Sequence, residues 1–125
     1  MCGFIALTSD DWFDYHTEKG HNKVIFWTNR LIHLDKGTKF LFLCGIGQKD
    51  RYIQGYAQIE DSGTCSVNDL WNKFGKLCGA DSLEDLSRDI ARETSNKLID
   101  SPDRIYYWSL GSFTPFKQQN STYVP

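Results

Sequence analysis

Two apolar segments, KFLFLC at 39–44 and YIQGYAQIE at 52–60, are separated only by the turn-rich stretch GIGQKDR. Runs of β-branched and aromatic residues this close in sequence pair as a hairpin. In the first segment Phe40, Phe42 and Cys44 alternate with Leu41 and Leu43, so both sides are apolar and the strand is predicted to be central and buried on both faces. Gly55, in mid-strand, predicts a bulge or a close approach of another backbone.

The rest of the chain falls into order around that hairpin. Phe4 to Leu7 reads as a short strand that stops at Thr8-Ser9-Asp10, and DDWFDYHTEK as a helix closed by Gly20. Lys23 to Thr28 reads as a strand, and Leu34 to Gly37 as a turn. Ser66 opens a helix through Cys78, whose Val67, Leu70, Trp71, Phe74 and Leu77 recur at helical spacing and make Trp71 a core residue. Ser82 with Asp85 forms a capping-box pattern for a further helix, Leu83, Leu86 and Ile90 inward and the acids outward. Arg104 to Leu110 is a last strand, broken by Gly111 before an aromatic tail. The order β, α, β, β, β, α, α, β over 125 residues, without repeat or linker, predicts one α+β domain: a strongly curved or closed small sheet with helices packed outside.

Most catalytic chemistry has no foothold in the sequence. Cys2, Cys44, Cys65 and Cys78 include no CxxC pair, and His16, His21 and His33 stand at no ligand-like spacing from them, so neither a metal nor a cofactor is expected. There is no GxSxG, no phosphate-binding glycine loop and no HExxH, so no catalytic residue is nominated and the chain is expected to be a binding module. The N-terminus lacks the pattern of a signal peptide and no run is long enough to span a bilayer, which predicts a cytoplasmic protein with free thiols.

Charge and aromatic content point instead to a surface. The net charge is −2, yet residues 19–51 carry seven bases against two acids, and residues 81–103 seven acids against three bases. Arg30, Lys36, Lys39, Lys49 and Arg51 are therefore candidates for phosphate contact, ordinary surface charge being the alternative. Four Trp, six Tyr and eight Phe exceed what a core of this size needs. In VIFWTNR, strand alternation puts Ile25 and Trp27 on one face and Val24, Phe26 and Thr28 on the other, so Trp27 need not share the side that packs Phe26. Trp27 is then a candidate pocket wall, with Thr28 and Asn29 supplying a hydroxyl and an amide for a polar edge. Trp12, Tyr56 and Trp108 are candidates for a second wall.

Taken in this order, the segments resemble the PUA-like superfamily, specifically its EVE and YTH domains, and most closely the N-terminal EVE-like module of modification-dependent HNH restriction endonucleases. Phe4 to Thr8 with Trp12-Phe13 looks like the family's opening strand and helix, and VIFWT like the YTH stretch that carries a cage Trp. KFLFLCGIG and RYIQGYAQIE are similar to its hairpin, and DLWNKFGKLCGADSLEDL to its helical region. Modules of this kind often carry Gln-Pro where this chain has Thr28-Asn29, a departure at the polar rim of the pocket. The resemblance implies a reader that flips a modified base into an aromatic cage, in DNA bearing 5-methylcytosine or 5-hydroxymethylcytosine, as the targeting part of a restriction system with a fused or partner nuclease. It equally allows a YTH-like reader of N6-methyladenine in RNA or DNA. An interaction protein that binds no nucleic acid is the reading from another class.

Overall fold

The computed structural model describes residues 3–28, 32–45, 51–93, 104–116 and 122–124. Strand β1 (Gly3–Leu7) leads into α1 (Asp10–Lys19), then β2 (Val24–Thr28), β3 (Lys39–Cys44) and the long β4 (Arg51–Cys65). Helix α2 (Val67–Phe74), a 3-10 turn (Gly75–Cys78) and α3 (Leu83–Glu93) precede β5 (Ile105–Pro115) and β6 (Thr122–Val124). The architecture is mixed α+β.

The five longer strands form one sheet in the order β1-β3-β4-β5-β2, with β6 paired to β4. The predicted hairpin is β3 and β4, antiparallel with Lys39 opposite Gln58 and Cys44 opposite Tyr52. Its register slips where Phe42 faces Gly55 and Leu43 faces Ile53, which makes the bulge expected at Gly55. The close approach is there too, since a Cβ on Gly55 would stand 2.6 Å from the Thr114 carbonyl oxygen. β1 joins the far side of β3 in parallel, and β2 pairs with β5, so two of the pairings link strands distant in sequence. Among the described residues β1 and β2 are edge strands and do not pair, so the sheet is curved but open rather than a closed barrel.

Two apolar clusters lie on opposite faces of the β2/β5 region. The inner one gathers Trp12, Phe13, Val24, Phe40, Phe42, Trp108, Leu110 and Phe113 between the concave sheet and α1. Its rings meet tilted or edge to face, Trp12 on Phe26 at 5.3 Å and Phe13 on Phe113 at 5.3 Å, contacts worth about 0.5–1.5 kcal/mol each beyond the area they bury. The outer cluster sets Ile25, Ile105 and Tyr107 against Leu70, Cys78, Leu86 and Ile90 of the helical layer. Alternation along β2 thus sends Val24 and Phe26 inward and Ile25 and Trp27 outward, as the sequence pattern requires.

Local signals act at the expected places. Gly20 closes α1 in the left-handed region at φ 67°, the Ser66 hydroxyl accepts from the Asp69 amide at 3.2 Å, and the Ser82 hydroxyl from the Asp85 amide at 3.1 Å. Two expectations need correcting. The helix from Ser66 ends at Phe74 and continues only as a 3-10 turn, because Gly75 adopts φ 57° and ψ −130°, outside helical space. Gly111 does not end the last strand, which runs to Pro115: the Glu60 carboxylate packs over Gly111 where a side chain would stand, and β4 and β5 shift register beside it.

Candidate base-binding cleft

Trp12 and Trp27 belong to different clusters, yet both open onto one cleft of about 280 Å³. Ser9, Asp11, Trp12 and Tyr15 reach it from the start of α1, and Trp27 from the end of β2. Its remaining sides are the loop Gly79-Ala80-Asp81 and one flank of α3, with Asp85, Arg88, Asp89 and Arg92. That volume lies near the lower end for small-molecule sites, the size of one flat heterocycle rather than an extended ligand.

Each wall is held by a specific contact. Trp27 is half-buried: its indole Nε1 donates to the Cys78 carbonyl oxygen at 3.0 Å while its ring packs on the outer cluster. Tyr15 donates its hydroxyl to Asp81 Oδ1 at 2.9 Å, with the Ala80 carbonyl oxygen at 3.2 Å, which ties α1 to the loop. Trp12 is 8% exposed and wedged among Phe26, Phe42, Phe113 and His16. Its Nε1 is buried without a hydrogen-bond partner and faces Gly79, where a Cβ would stand 2.8 Å away. A buried indole N–H normally finds an acceptor, so this donor is a reserve of unused polarity beside the cleft.

The electrostatics follow from burial. Burial, then the Asp81 hydrogen bond and its charge, push the Tyr15 hydroxyl up to about 12. Asp89 is held above the usual carboxylate range, by burial first, with Asp85 and Asp11 adding and Arg92 and Arg88 opposing. Behind Trp12, His16 is fully buried and shares its Nδ1 with Nδ1 of His21 at 2.9 Å, one donating and the other accepting. Burial, reinforced by His21, drives His16 down to about 3, so it is neutral.

Of the predicted site residues, the cleft brings together Trp12 and Trp27. Thr28 is half-buried opposite Tyr106 and, by alternation, points to the face away from Trp27. Tyr56 lies elsewhere on the sheet, packed on Phe116 at 5.8 Å with Lys39 Nζ 4.8 Å above its ring. Trp108 is 3% exposed in the inner cluster and borders a different cavity, of about 410 Å³, with Ile32, Leu34 and Tyr106. Lys36 and Lys39 are exposed at the N-terminal end of β3, while α1 begins beside its other end, about 17 Å along the strand, where the Gly45 amide donates to Asp10. Asn29, Arg30, Lys49 and the Arg51 side chain lie outside the described residues.

Sequence reasoning missed the polar part of the cleft: Asp11, Tyr15, Asp81, Asp85, Arg88, Asp89 and Arg92. It placed the α3 acids on an outward, solvated face, whereas Asp85 and Asp89 are half-buried against the cleft. Among the described residues no three His, Cys, Asp or Glu side chains cluster so as to hold a metal ion. Cys44, Cys65 and Cys78 are free thiols, and no described helix is long and apolar enough to cross a membrane.

The same architecture occurs in the ASCH protein of Zymomonas mobilis. Its crystal structure superposes with a TM-score of 0.62 over 92% of this chain and 73% of that one, at 12% identity. Two single-residue variants of that protein give TM-scores of 0.64, over 90% and 89% of this chain and 71% and 68% of theirs, again at 12% identity. The fold is PUA-like. No family profile and no curated protein matches the sequence. At this identity the PUA-like likeness speaks for the scaffold alone.

Proposed function

We propose that this chain is a nucleic-acid-binding module that holds one extruded base in the cleft between Trp27 and α3, and that it does so without turning its ligand over. The observation that carries the reading is the convergence of Trp27 and Trp12, from opposite faces of the sheet, on a single cleft with titratable side chains at its edge. Extruding a base costs a few kcal/mol of pairing and stacking, and an aromatic wall returns about 1–3 kcal/mol per stacked base. A methyl group adds only about 0.8 kcal/mol on burial, so selectivity for a modified base has to come from a close-fitting cage. Exposed Arg88 and Arg92 at the rim, with Lys36 in the turn before β3 and Lys39 at its start, are the cations offered to the phosphate backbone.

The specific form of this reading is a reader of 5-methylcytosine or 5-hydroxymethylcytosine in duplex DNA, targeting a restriction nuclease fused to it or recruited by it. The test is a binding screen at low salt over matched duplex DNA, single-stranded DNA and RNA, each carrying one modified base. Preference for modified duplex DNA that is lost in Trp27→Ala supports the specific form. Preference for N6-methyladenine with affinity lost on removing 2′-hydroxyls moves the assignment to an RNA reader. Binding to none of them contradicts the nucleic-acid reading and favours a protein-interaction module.

A further inference from the structure

The cleft has a charge pattern that the base-binding reading alone does not require. Four carboxylates line it, Asp11, Asp81, Asp85 and Asp89, against the two guanidiniums of Arg88 and Arg92, a net charge of −2. Arg88 pairs with Asp85 at 3.2 Å and Arg92 with Asp89 at 3.0 Å. Asp11 and Asp81 have no cation partner among the described residues, and the Tyr15 hydroxyl tethers Asp81 without neutralising it. Trp12, Tyr15 and Trp27 line the cleft among these charges. A cation over the face of Trp or Tyr is attracted by the ring quadrupole, the more so when desolvated.

We propose that the base this cleft selects is positively charged at neutral pH: an adenine or cytosine alkylated on a ring nitrogen. This rests on the base-binding reading in its general form and puts a cationic base in place of the neutral 5-methylcytosine of its specific form. Three further observations bear on it. The cleft, at about 280 Å³, suits a flat heterocycle better than a small ammonium head. Its arginines are exposed, their side chains 70% and 60% accessible, and are paired with Asp85 and Asp89, so the uncompensated charge on the cleft is that of Asp11 and Asp81. That charge is the complement of a cationic base. Finally, Trp12, 8% exposed, keeps its unpartnered Nε1 beside Gly79 on the cleft wall, a neutral donor that leaves the negative field intact.

The test uses pairs of isomers that differ in charge but not in size. The intact chain is titrated with one single-stranded oligonucleotide bearing, at one position, adenine, N6-methyladenine or N1-methyladenine, and with a second bearing cytosine, 5-methylcytosine or N3-methylcytosine. A trimethyl-lysine peptide serves as a cation that is not a base. The proposal expects each ring-methylated cationic base to bind about tenfold or more tighter than its neutral isomer. That advantage should shrink to less than about threefold in Asp81→Asn and in Asp11→Asn, two exposed positions where the substitution removes charge and keeps shape. Equal or tighter binding of the neutral isomers overturns the cation preference and leaves the base-binding reading standing. Tight binding of the peptide with no discrimination among the oligonucleotides overturns both.

Discussion

The indole Nε1 of Trp27 donates to the carbonyl oxygen of Cys78 at 3.0 Å, across 51 residues of sequence. One hydrogen bond thereby fixes the ring that walls the cleft and satisfies a carbonyl of the 3-10 turn leading into the Gly79 loop. The wall is therefore structural as well as exposed, and the two roles separate by substitution. Trp27→Phe keeps an aromatic face and loses the bond, at a cost of about 1 kcal/mol, with base preference retained. Trp27→Ala should cost about 2 kcal/mol, less than the 3–5 of a fully buried Trp, and abolish base preference. Denaturant melts beside binding curves check both.

Gly79→Ala should be more damaging than its size suggests. Gly79 adopts φ +90°, which an L side chain rarely does, and the new Cβ would collide with the Trp12 ring. A loss of about 2–3 kcal/mol is expected, with Trp12 displaced and its fluorescence altered. An unchanged melt would mean that the Trp12–Gly79 contact is loose.

Stability should fall between pH 6.5 and 5. His16 is neutral in the fold with its pKa lowered to about 3, and burial lowers His21 as well, so below the ordinary histidine value the unfolded chain binds protons that the folded chain refuses. His16 alone sets a slope of about 1.4 kcal/mol per pH unit, in the direction of loss on acidification. The raised carboxyls of Asp14 and Asp89 act in the opposite sense, but closer to their own lower range. Unfolding free energies from pH 7 to 5 measure the slope, which His16→Phe should flatten.

Non-specific binding should be electrostatic and spread over the basic stretch. Reversing Lys36, Lys39 and Arg51 to Glu should weaken modified and unmodified duplexes alike, each lost phosphate contact reducing the slope of log affinity against log salt by about 0.9. If the slope stays unchanged, docking is carried by the cleft rim, and Arg88→Glu with Arg92→Glu should then change it.

Much of the scaffold was legible because its signals are local. Period-two alternation marked β2 and β3, Ser66 and Ser82 marked helix starts, and Gly55 marked its bulge through the absence of a side chain. The break at Gly75 was hidden because Leu77 and Cys78 still reach the outer cluster from a 3-10 turn, so the apolar spacing runs on. The open seam of the sheet was hidden because β1 finds β3 and β2 finds β5 through pairings that no turn specifies. In the cleft, Trp27 was readable from its neighbours and the carboxylates were not. Asp85 and Asp89 lie on the polar side of an amphipathic helix, and tertiary contacts, the Tyr15 to Asp81 bond across 66 residues among them, bring that side to one cleft with Asp11 and the tryptophans.

The claim that a base enters between Trp27 and α3 is tested most directly by photo-crosslinking. An oligonucleotide with a single 5-iodocytosine, flanked by abasic sites to favour extrusion, is irradiated with the protein and the adduct mapped by mass spectrometry. The account predicts adducts at Trp27, with Tyr15 or Trp12 as the secondary site. Adducts confined to Tyr106 and Trp108, which border the other cavity, or to Tyr56, would contradict it.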